Sequence, residues 1–193
     1  KKINAGWITT FSEFSVVSSD RLTKINKNAN LKIACLMGCC VTTGIGTVYN
    51  QSNIKTQDRA LVVGAGGVGL SVIIGLKTKK IKFICAYDRN AKKLYKAKEL
   101  GANLCLNSRQ KFNSKLKRFS KIFIVTGSKS AILDAIKLAD TNSDLYFIGV
   151  PQPNTNIQID ALQIHHGKNF HSSCGGEMLP MKLIPKCMKL YKL

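Results

Sequence analysis

From residue 60 onward the chain alternates between two hydrophobic patterns. Compact apolar runs predict strands at Leu61-Val62-Val63, 81–87, Asn103-Leu104-Cys105-Leu106, 121–125 and 144–150, the last stopped by Pro151. Between them, helically spaced stretches predict helices over 67–77, 91–100 and 129–139, with Gly101 a natural stop for the second. Near the C-terminus, 168–174 reads as an edge strand and 181–191 as a helix. This β-α-β-α order predicts the α/β class, with a parallel, doubly wound sheet of Rossmann type.

The first sixty residues follow another pattern. Residues 8–17 are rich in β-branched and aromatic types and predict one or two strands. Ser18-Ser19-Asp20 predicts a turn and 22–25 a further short strand. None of this starts a β-α-β unit, so 1–29 is expected to be the tail of a different, β-rich domain. Residues 30–50 predict a helical stretch loosened by Gly38, Gly44 and Gly46, and 51–58 a polar linker. The second domain is expected to occupy 30–193. The apolar run 60–76 is short for a membrane span, and four glycines cluster in its first ten positions. Strand, tight turn and buried helix account for it, and no membrane partner is expected.

That turn is Gly64-Ala65-Gly66-Gly67-Val68-Gly69, a G-x-G-x-x-G string between a strand and a helix. A bare string of this kind is weak, but here the context fits. Gly64 permits the tight turn, Gly66 lets the backbone approach a pyrophosphate, and Gly69 lets helix and strand pack closely. The pyrophosphate would rest on the helix N-terminus, where N–H groups and the dipole favour anions. Asp88 follows Gly69 by nineteen positions, at the end of the second strand. An acid there accepts from the adenosine ribose hydroxyls and repels a 2′-phosphate, which favours NAD over NADP. Arg89 beside it pulls the other way, since a guanidinium tolerates phosphate. A glycine turn with a helix-capping Asp and no ligand is the plainer alternative.

The charge is lopsided: 30 Lys+Arg against 10 Asp+Glu, a formal +20. A basic surface attracts polyanions. Only five of these cations are Arg, however, and they are scattered without interleaved aromatics, so no nucleic-acid partner is expected. The field suits an anionic cofactor or substrate better. Seven cysteines, with no C-x-x-C pair, indicate neither a disulfide framework nor a zinc knuckle and fit a reducing cytoplasm. The first residues carry no signal-peptide core and no Met, which suggests a chain beginning partway through a longer protein. His165, His166 and His171 read as solvated or hydrogen-bonded residues rather than metal ligands.

Three segments carry a family resemblance: Leu36-Met37-Gly38-Cys39-Cys40-Val41-Thr42-Thr43-Gly44-Ile45-Gly46, Val62 through Leu70, and Asp88-Arg89-Asn90 with Lys93. Gly149-Val150-Pro151 and Gly175-Gly176-Glu177 add to them. In order and spacing the chain, from about Thr9 onward, resembles the zinc-containing alcohol dehydrogenases of the medium-chain dehydrogenase/reductase superfamily. The resemblance implies an NAD-dependent oxidoreductase acting on a small alcohol or aldehyde, with a remnant of a GroES-like catalytic domain ahead of the coenzyme domain. It implies that Cys39 is a ligand of the catalytic zinc and that Thr43, at the catalytic centre, and Val68 pack against the nicotinamide. It implies that Gly66, Gly67 and Val68 form the pyrophosphate loop, that Asp88 and Lys93 hold the adenosine ribose, and that the Ile148 backbone faces the carboxamide. The full-length protein is expected to form a homo-oligomer through the edge of the coenzyme domain.

The sequence also departs from that family. The other zinc ligands and the four-cysteine lobe are not in this chain, and the segment that completes the cofactor site is cut short. One Cys does not make a zinc site, so the expectation is a chain that binds NAD without turning over alone. Cys40 stands where a small residue is commoner, and Gln57 where a turn glycine is. A non-catalytic dinucleotide-binding module remains open. So does a zinc-independent quinone-reductase-like enzyme, against which Cys39 and Asp88 count.

Overall fold

The computed structural model describes residues 12–109, 118–177 and 179–191. The Asn30 side chain opens the first helix, α1 (Leu31–Ala34), by accepting the Lys32 N–H at 3.0 Å. A 3-10 turn (Cys35–Gly38) follows. Cys39, at φ −143° and ψ −64°, breaks the path before α2 (Cys40–Gly46) and a wide helical turn, Thr47–Gln51. The alternating part then runs β1 (Arg59–Val63), α3 (Gly67–Thr78), β2 (Phe83–Asp88), α4 (Ala91–Glu99), β3 (Leu104–Asn107), β4 (Phe119–Ile124), α5 (Lys129–Leu138) and β5 (Ala139–Phe147). It closes with α6 (Ala161–His165), β6 (Asn169–Ser172) and α7 (Pro180–Tyr191).

The six strands form one sheet in the order β3-β2-β1-β4-β5-β6, and every pairing is parallel. This is the α/β Rossmann-type sheet expected. β1 lies between β2 and β4, so the strand order reverses there, and a crevice opens beyond the carboxyl ends of the strands at that switch point.

The period of two in β1 divides the core between the sheet's faces. Ala60 and Val62 pack with Val72, Ile73 and Leu76 of α3 and Leu94 and Ala97 of α4. Leu61 and Val63 pack on the other face with Ile132, Ala135 and Ile136 of α5. Each fully buried Val, Leu or Ile contributes roughly 1.5–3 kcal/mol of burial free energy, which fixes the strand register. A third cluster joins Met37 and Ile45 to Leu183, Ile184 and Cys187 of α7.

Several expectations need correction. Residues 12–17 and 22–25 are not strands, and the rest of the 8–17 expectation lies outside the described residues. β-branched residues favour a strand only where a neighbouring strand receives them, and no described strand does. β5 starts at Ala139, directly after α5, so polar Asp140-Thr141-Asn142-Ser143 belong to it and 148–150 do not. The cause is an irregularity in pairing: Phe119 faces Ala139, whereas Lys121 faces Asp144. The short helix α6 had no hydrophobic periodicity to announce it; Asp160 caps it by accepting the Leu162 N–H at 3.0 Å. Among the described residues no single helix is long and apolar enough to cross a membrane.

Candidate functional site

The glycine loop sits at the switch point and is held from both sides. Gly64, at φ +100°, donates its N–H to the Tyr87 carbonyl at 2.8 Å, tying the loop to the end of β2. Asp88, the last residue of β2, accepts the Ala65 N–H on Oδ2 at 2.8 Å and the Asn90 N–H on Oδ1 at 2.8 Å. Asn90 caps α4 in turn, accepting from the N–H groups of Lys92 and Lys93. Gly66 is the N-cap of α3. A Cβ built on Gly66 meets nothing within 4 Å, so its backbone faces open space; one built on Gly69 lies 1.8 Å from the Gly64 carbonyl oxygen, so the turn closes only around glycine.

Beside this loop lies a cleft of about 420 Å³. Gly64, Asp88, Arg89 and Lys93 line one side, and Ser108, Thr126, Ser128, Ser130, Ala131 and Asp134 line the rest. Buried Tyr87 forms part of the floor, donating its hydroxyl to Asp134 Oδ2 at 2.7 Å. Burial first, and that bond to Asp134 second, hold the Tyr87 phenol well above its ordinary pKa, so it stays a neutral donor. The open backbone at Gly66, the carboxylate of Asp88 and this cleft thus lie together at the switch point, the place where open α/β sheets bind ligands.

Four of the residues singled out from sequence therefore gather at the cleft: Gly64, Asp88, Arg89 and Lys93. Gly66, Gly67, Val68 and Gly69 form the start of α3 beside it. Thr43, Cys39 and Ile148 do not line the cleft. Thr43 lies on α2, where its N–H donates to the Cys39 carbonyl at 2.9 Å and Gly176 packs against its carbonyl oxygen. Ile148, just past β5, donates its N–H to the Ile124 carbonyl at 2.9 Å. Sequence reasoning missed the α5 side of the cleft. Asp134 and Ser130 are spaced like any polar face of an amphipathic helix, and only the fold brings them opposite Asp88.

Cys39 is exposed at the break before α2, and its neighbour Cys40 turns inward onto Gly67, where a Cβ would lie 2.7 Å from the Cys40 sulfur. Burial first, and Cys39 second, raise the Cys40 thiol above its ordinary pKa. Among the described residues no three His, Cys, Asp or Glu side chains gather in a way that could hold a metal ion. His171 instead bonds Asp144 at 3.0 Å and stacks on Tyr146.

Residues 67–190 match the family described as zinc-binding dehydrogenase. The chain is 46% identical over 99 residues to S-(hydroxymethyl)glutathione dehydrogenase of Photobacterium damsela subsp. piscicida, covering 51% of this chain and 27% of that protein. It is 46% identical over 103 residues to alcohol dehydrogenase class-2 isozyme 2 of Oryctolagus cuniculus, covering 53% and 27% respectively. These matches span about a quarter of the curated relatives' length. The crystal structure of benzyl alcohol dehydrogenase from Acinetobacter calcoaceticus superposes with a TM-score of 0.89 at 24% identity, over 96% of this chain and 53% of that one, and so shares the fold.

Proposed function

This chain belongs to the zinc-binding dehydrogenase family, and from that premise we propose that it is the NAD-binding part of an oxidoreductase of the zinc alcohol dehydrogenase type. NAD, when bound, accepts the hydride that an alcohol loses on becoming an aldehyde or ketone. The carrying observation is Asp88 at the end of β2, bonded to the glycine loop and lining the cleft. Each of its oxygens accepts one backbone N–H and keeps a second lone-pair site for a ribose hydroxyl. Its charge disfavours a 2′-phosphate at the same place. Lys93 and Arg89 add positive charge at the cleft's rim, and the N-terminus of α3 suits the pyrophosphate. Thr43, Val68 and the backbone at Ile148 are assigned to the nicotinamide end.

Cys39 is the chain's candidate zinc ligand, and its partners are not among the described residues. No catalytic step is assigned to it, and these 193 residues are proposed to bind NAD without oxidising alcohols alone. The same observation favours, as a second reading, a module that only binds the dinucleotide. Residues 1–29 are assigned to the end of a preceding catalytic domain and 30–193 to the coenzyme domain. A homo-oligomer through the edge of the coenzyme domain and a cytoplasmic location complete the proposal. Fluorescence titration of the purified chain with NADH and NADPH tests its core. Tighter NADH binding is expected, and tighter NADPH binding would overturn the assignment to NAD.

A further inference from the structure

Acidic side chains are scarce in this molecule, ten in all, yet two of them, Asp88 and Asp134, line one cleft. A pair of carboxylates is a poor lining for a phosphate. It suits a ligand that offers hydrogen-bond donors, because an ionised carboxylate only accepts. The adenosine half of a dinucleotide carries three donor groups: the 2′- and 3′-hydroxyls and the 6-amino group of the base. Asp88, beside the glycine loop, is placed for the two hydroxyls. A base attached to that ribose would then meet the α5 side of the cleft, lined by Ser128, Ser130, Ala131 and Asp134.

Asp134 lies on that side. It is half-buried on α5, and its Oδ2 is already fixed by the Tyr87 hydroxyl at 2.7 Å. Among the described residues its Oδ1 accepts no hydrogen bond. Tyr87 is buried in the floor of the cleft, so it holds the carboxylate in one orientation, and a preset acceptor loses little freedom on binding. We infer that Asp134, oriented by Tyr87, accepts a hydrogen bond from the 6-amino group of the adenine ring and so makes this cleft selective for adenine over 6-oxopurine dinucleotides. The inference rests on the NAD reading of the cleft and adds to it a residue that distinguishes the base. A 6-oxo group would set an oxygen lone pair against Asp134 Oδ1 and leave that carboxylate unmatched.

The test compares NADH with its hypoxanthine analogue, in which oxygen replaces the 6-amino group, by titrating the whole chain. NADH is expected to bind about tenfold more tightly, the worth of one hydrogen bond to a charged group. Asp134→Ala is expected to abolish that ratio, mainly by weakening NADH. Tyr87→Phe leaves the carboxylate in place and is expected to keep a preference for NADH, which guards against a variant that merely unfolds. Equal binding of the two dinucleotides by the parent chain would overturn the inference while leaving the NAD reading intact. So would an Asp134→Ala variant that weakens both ligands equally. Failure of both ligands to bind would overturn both readings.

Discussion

Asp88 and Ala65 are joined by a 2.8 Å hydrogen bond from the loop's backbone to the carboxylate at the end of β2. The acid is thus part of the turn it faces. One side chain braces the glycine loop and, through Asn90, the start of α4. Removing it has two separable effects, one on the ligand and one on the loop.

Asp88→Gly is expected to weaken NADH binding roughly 10- to 100-fold, since hydrogen bonds to a charged group contribute about 1.5–3 kcal/mol and each 1.4 kcal/mol is tenfold. NADPH binding is expected to fall less, because the charge that repels its 2′-phosphate goes too. Parallel titrations measure the ratio. An equal loss for both ligands would reduce Asp88 to a brace of the loop.

Two glycines of the same turn are expected to fail in different ways. Gly69→Ala places a methyl 1.8 Å from the Gly64 carbonyl oxygen. That overpacking costs roughly 3 kcal/mol and lowers the melting temperature by about 6–12 °C. Gly66→Ala meets no protein atom and has an ordinary φ of −80°. Its melting temperature should stay within about 2 °C of the parent, while NADH affinity falls at least about tenfold because the methyl occupies the pyrophosphate's place. A Gly66→Ala variant with parental affinity would remove the pyrophosphate from that loop.

Cys39→Ser is expected to leave NADH affinity unchanged, since Cys39 does not line the cleft. The parent chain, supplied with zinc, NAD and a primary alcohol, is expected to form no NADH. Turnover that disappears in Cys39→Ser would show that these residues suffice for catalysis and would end the binding-only reading.

The sheet has its own pH dependence. Burial raises the Asp144 pKa, but the hydrogen bonds from Lys121 and His171 outweigh it and hold the group below the ordinary carboxylate range. A folded-state pKa lower than the unfolded one contributes stability that is fully present above the unfolded value and is lost as pH falls through the folded value. The urea midpoint should therefore decline in acid, and less so in Asp144→Asn. Identical profiles for parent and variant would remove Asp144 from the acid sensitivity.

The central sheet was legible because its strands are buried on both faces. Leu61-Val62-Val63 and Phe83-Ile84-Cys85-Ala86 are continuous apolar runs that no exposed element would carry. The loop and Asp88 were legible because a local spacing fixes them. Elements whose existence depends on distant partners were not. Polar Asp140-Thr141-Asn142-Ser143 fall inside β5 only because its pairing with β4 breaks after Ala139 and resumes at Asp144. Residues 12–17 look like strand and are not, since local composition cannot supply a neighbour. Asp134 gave no signal at all, because its meaning comes from the Tyr87 hydroxyl, 47 positions away in sequence.

The contact of α2 with α3 has a mechanical consequence. A Cβ on Gly44 would lie 2.5 Å from the Val68 carbonyl oxygen and 2.8 Å from the Val72 N, so the two helices touch backbone to backbone. Beside those backbone atoms stands the Ser71 Cβ, 2.7 Å from the same point. α2, which begins directly after Cys39, thus seats on the helix that the glycine loop opens, and a larger residue at position 44 would drive the two helices apart.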